Sequence, residues 1–79
     1  MKNDTNPANI TLDDAVKAIV GEHYQSLKNE MCDWNNDLRV ASTREVMDLG
    51  IPRETAEKVL YLVRDVYTGK TPAEALAEA

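Results

Sequence analysis

The stretch "DLGIPRETAEKVL", Asp48 to Leu60, decides how this chain folds. Its Gly50-Ile51-Pro52 corner stands between two segments with helical apolar spacing. Glycine reaches the left-handed backbone region that closes a helix, and proline has the fixed φ that suits a first helical residue. The corner therefore ends one helix and begins another. Beyond it, Ala56, Val59, Leu60, Val63, Val66 and Tyr67 fall on one helical face, the clearest apolar stripe in the protein. Glu54 and Lys58 are spaced as a favourable i,i+4 pair on the opposite side.

Working outward, Ser42-Thr43-Arg44-Glu45 has the form of a capping box, opening a short helix that buries Val46 and Met47. Thr71-Pro72-Ala73-Glu74 has the same form, with proline at the favoured first position, and leads into a short last helix. Thr11 to Asp14 is a variant with aspartate in the third place. From there Leu12, Val16, Ile19, Val20, His23, Leu27, Met31 and Trp34 predict one helix of about six turns, weakened by Gly21 on its far face. "DWNND", Asp33 to Asp37, ends it in a polar turn, and Leu38 to Ala41 form a connector of no assigned shape. No segment alternates with period two. The expectation is an all-α fold, a small bundle of four helices (one long, two short, one medium) with no sheet. Residues 1–10 form a polar, flexible tail, and residues 11–79 a single helical domain.

A chain of 79 residues with no Phe and one Trp has few large side chains with which to fill a core. Below roughly 70–80 residues a single core rarely supplies more than about 3–5 kcal/mol, so a homodimer that completes it is carried as an expectation. One cysteine, Cys32, provides neither a disulfide nor a four-cysteine zinc site and suits a reducing, cytoplasmic setting. No apolar run approaches the ~18–20 residues of a membrane span, and the polar start lacks the apolar segment of a secretory signal. The net charge of −5, with cations scattered from Lys17 to Lys70, disfavours a phosphate backbone as partner and favours a basic protein surface.

No catalytic set emerges, and an enzyme is not expected. His23 has Ile19 and Leu27 at i±4, which can neither ligate a metal nor orient a general base, so it reads as a packed edge residue. Cys32 has no partner at ligand spacing, and Asp33 beside it opposes thiolate formation. No cofactor motif or metal-binding loop is present. Tyr61 lies about 140° around its helix from Ala56, on the face with Glu54, Glu57, Lys58 and Asp65, where it either anchors a partner or packs on the first helix. Leu62 broadens the apolar stripe and is a candidate for a subunit interface. Asp13, Asp14, Glu22, Asp33 and Asp37 form a candidate acidic surface on the first helix and at its end, suited to an inhibitor of a basic protein.

Two resemblances attach to the corner. From Thr43 to Tyr67 the chain is similar to a helix-turn-helix, which implies DNA contact through Arg53, Thr55 and Lys58; Glu54 and Glu57 then face the phosphates. From Val46 onward it resembles the ubiquitin-associated (UBA-like) three-helix module: Leu49-Gly50-Ile51 stands at the family's corner, followed by Ala56, Val59-Leu60, Ala75 and Leu76 at matching places. That resemblance implies a partner surface at Leu49, Gly50 and Ile51. The helix after the corner is about a turn longer than the family's, and the last helix lacks paired leucines, so ubiquitin binding is not carried over. The expected function is non-enzymatic: a protein-binding regulator or inhibitor, with the DNA-binding regulator and the UBA-like adaptor as alternatives.

Overall fold

The computed structural model describes residues 10–79. Among the described residues five α-helices occur, α1 (Leu12–Val20), α2 (Tyr24–Glu30), α3 (Thr43–Met47), α4 (Arg53–Tyr67) and α5 (Pro72–Glu78), with a 3-10 turn at Gly21–His23 and a π-helical turn at Trp34–Leu38. No strand is found among the described residues, and the fold is all-α. The tail expected over residues 1–10 lies outside the described residues except for Ile10, which is half-buried against the core.

All three capping boxes form. Thr11, Ser42 and Thr71 each accept the backbone N–H of the residue three places on, and Asp14, Glu45 and Glu74 return the bond to the cap. Each start thus satisfies backbone donors that would otherwise lack partners and sets a carboxylate at the positive end of the helix dipole. Pro52 stands one place earlier than expected. Its ψ of 149° is extended, so it caps α4 and its carbonyl accepts the N–H of Ala56 at 2.8 Å.

The expected six-turn first helix is broken. Gly21 takes φ 54° and ψ −121°, a combination that costs an L-residue heavily, and the chain folds back on itself there. In an unbroken helix Asp13 and Tyr24 would be ~16 Å apart along the axis. Instead the Tyr24 hydroxyl donates to the Asp13 carboxylate at 2.8 Å. The apolar spacing hid the break because α1 and α2 both turn their stripes toward the same interior. "DWNND" likewise forms helical structure rather than a plain turn. The Asp33 carboxylate accepts the N–H groups of Asn35 and Asn36, and the wide turn carries Trp34 and Leu38 into the core.

Helix α4 is the centre of the domain, in contact with α1, α3, α5 and the π-turn. This encirclement gives it a wide buried arc of Ala56, Val59, Leu60, Leu62 and Val63. Leu62 is 0 % exposed, so it belongs to the core and is not available to a subunit interface as expected. Tyr67, expected in the stripe, is exposed, and the Arg39 guanidinium lies over its ring, 3.8 Å from the centroid. The connector is held by Arg64, which donates to the carbonyls of Arg39 at 3.1 Å and Ala41 at 3.0 Å.

Candidate functional site

The α4 face turned away from the core presents Tyr61, 65 % exposed, on a helix of 15 residues. Glu54, Glu57, Lys58 and Asp65 share that face, and the C-terminal end of α5 brings Glu78 alongside, enclosing an open groove of ≈ 420 Å³. Tyr61 lines this groove together with Glu57 and Lys58, one turn before it on the same helix. The expected Glu54–Lys58 pair does not form; Arg53 pairs with Glu57 instead, at 3.4 Å. At the other end, Lys70 bridges Asp65 and Glu78, and the Glu78 carboxylate, through its hydrogen bond, raises the Lys70 pKa. Among the described residues, Glu54 has no cation at salt-bridge distance.

The acidic surface expected on the first helix is largely committed elsewhere. Asp13 accepts from Tyr24, from the Trp34 indole N–H at 3.2 Å and from the Lys28 ammonium at 3.4 Å. The hydrogen bond from Tyr24 is the main cause holding its carboxyl below the usual aspartate range, with Lys28 and Trp34 adding to it against some desolvation. Lys28 also lies 4.8 Å from the Trp34 ring centroid, and Tyr24 meets that ring edge-on at 6.3 Å. Asp14 and Asp33 are caps, and the Asp37 carboxylate accepts the Asp33 N–H. Hydrogen bonds from Asn36 lower the Asp33 pKa. Of the five acids, Glu22 remains freely exposed, beside a half-buried His23. Asp13 is thus an internal tie between α1, α2 and the π-turn, contrary to expectation.

The corner is likewise spent on structure. Ile51 is 2 % exposed in the core, Leu49 is half-buried against it, and Gly50 is the exposed residue that turns the chain, at φ 93°. Of the residues named for DNA contact, Arg53 is paired, Thr55 is half-buried, and Lys58 lines the groove alongside Glu54, Glu57 and Asp65. Sequence reasoning placed four of the α4 groove residues on Tyr61's face; it missed Glu78, because no local signal tells where the end of α5 will lie against α4. It also missed exposed Val40 and the Arg39–Tyr67 stack, which depend on the path of the connector.

Among the described residues, no helix is long and apolar enough to cross a membrane. Compared with known proteins, the chain matches no family model, no curated protein and no solved structure.

Proposed function

We propose that this protein works by binding another protein, as a regulator or inhibitor, through the outer face of α4. The observation that carries the reading is Tyr61, a large exposed aromatic on a rigid helix, set in a groove rimmed by Glu54, Glu57, Asp65 and Glu78. A tyrosine offers a large contact area with few torsions to freeze, which makes it an efficient anchor. The acidic rim favours a basic partner and speeds encounter with it. The DNA-binding alternative asks this same face to approach phosphates with Glu54 and Glu57 leading, and it has less support. The UBA-like alternative retains the order α3–α4–α5 in its favour, but Ile51 and half of Leu49 are withdrawn from any partner.

The test is affinity capture with the tagged full chain from lysate of its native cells, with and without nuclease, in parallel with Tyr61→Ala and Glu57→Lys. A discrete protein kept after nuclease and lost with either variant is the expected result. A partner indifferent to both variants, or recovery of nucleic acid alone, would overturn the reading.

A further inference from the structure

The groove is unevenly occupied. At its α5 end the Asp65 and Glu78 carboxylates are already paired, both with Lys70. Its other half presents Glu54, with no cation at salt-bridge distance among the described residues, and Glu57, held at 3.4 Å by an Arg53 whose side chain is largely exposed. Tyr61 lines the groove with them. Lys58 is the groove's own cation there and has no carboxylate at salt-bridge distance among the described residues.

The rest of the molecule shows how cations meet its aromatic rings. The Arg39 guanidinium stacks on Tyr67 of the same helix at 3.8 Å, whereas the ammonium groups of Lys28 and Lys17 stand 4.8 and 5.5 Å from the Trp34 and Tyr24 rings. A guanidinium is planar, weakly hydrated and forked, so it can lie on a ring and still donate sideways to carboxylates. An ammonium is a compact, strongly hydrated charge and gains less from the ring.

From the unpaired Glu54 carboxylate, the exposed ring and the Arg39–Tyr67 precedent we infer that the Tyr61 groove takes an arginine side chain from a basic segment of a partner protein. Its guanidinium stacks on Tyr61 with Glu54 and Glu57 beside it. This inference rests on the binding role proposed above and adds the chemistry of the occupant. Lys58 opposes the incoming charge, so removing its charge strengthens binding.

The probe is a pair of end-blocked peptides, alternating arginine–serine and lysine–serine, titrated at low salt into the isotopically labelled full chain and followed by NMR. Amide shifts are expected to centre on Glu54, Glu57 and Tyr61, with the arginine peptide binding about two- to five-fold more tightly than the lysine one. Tyr61→Phe keeps that preference, Tyr61→Leu abolishes it, and Lys58→Gln tightens both peptides. Equal affinity for the two peptides, a preference surviving Tyr61→Leu, or shifts centred instead near Glu22 or Glu30 would overturn the inference. A captured partner that needs Tyr61 but is displaced equally by both peptides removes the arginine chemistry and leaves the binding role. A captured partner indifferent to Tyr61→Leu removes the binding role itself.

Discussion

Asp13 shows how far one carboxylate can be from the role its exposure suggests. Its side chain is 42 % exposed, yet it gathers a phenol and an ammonium from α2 and an indole from the π-turn. Asp13→Ala leaves those donors to water, and a loss of about 1 kcal/mol is expected, discounted for the exposure of the site. Chemical denaturation followed by Trp34 fluorescence measures it, and an unchanged midpoint would show that the tie contributes nothing. Because the carboxyl is held below the usual aspartate range, its contribution is complete above about pH 4 and is lost as pH falls through the lowered folded value. Asp13→Asn should therefore flatten the acid limb of stability against pH while leaving the slope around neutrality unchanged. Arg64 has a comparable role for the connector: Arg64→Ala frees two carbonyls, costs about 1 kcal/mol, and should speed amide exchange at residues 39–41 well before the rest of the fold.

At the scale of elements, the decisive feature is the break between α1 and α2. Gly21 holds a backbone conformation that an L-residue adopts only under strain, and a Cβ there would meet no neighbouring atom within 4 Å. The cost of Gly21→Ala is thus one of backbone strain and not of crowding, about 1–3 kcal/mol. For a domain of this size that is a fall of roughly 4–8 °C in Tm per kcal/mol, measurable by circular dichroism. A rise in Tm would mean instead that α1 and α2 prefer to join into one straight helix, with the Asp13–Tyr24 bond lost. The three capping boxes act locally and independently, so their contributions should add when removed in combination.

For the whole molecule, the wide buried arc of α4 decides between a core and an interface. Leu62→Ala opens a cavity in a small core and is expected to cost about 2–5 kcal/mol, comparable with the ~3–5 kcal/mol that such a core supplies. The variant should be largely unfolded in water by circular dichroism. A folded variant that only changed sedimentation behaviour would return Leu62 to a subunit interface. Net charge acts at this scale too. Asp14, Asp33, Glu45 and Glu74 all serve as helix-start acceptors, so part of the −5 belongs to capping and not to a partner surface.

What the sequence determined by itself was governed mostly by neighbours within one turn: the all-α class, the three capped starts, the reversal at Gly50 and the stripe from Ala56 to Val63. Those features follow from spacing, backbone freedom and short-range hydrogen bonds, which a linear reading contains. The face carrying Tyr61, Glu54, Glu57, Lys58 and Asp65 was legible for the same reason, since it lies on one helix. Only the tertiary structure decided that α1 and α2 part at Gly21, that Leu62 and Ile51 are internal, and that Asp13 is a tie instead of a free charge. It also set Glu78 beside Tyr61. Each of these depends on which helices pack against one another, and an amphipathic stripe says which way a helix faces without saying how much of it will be covered.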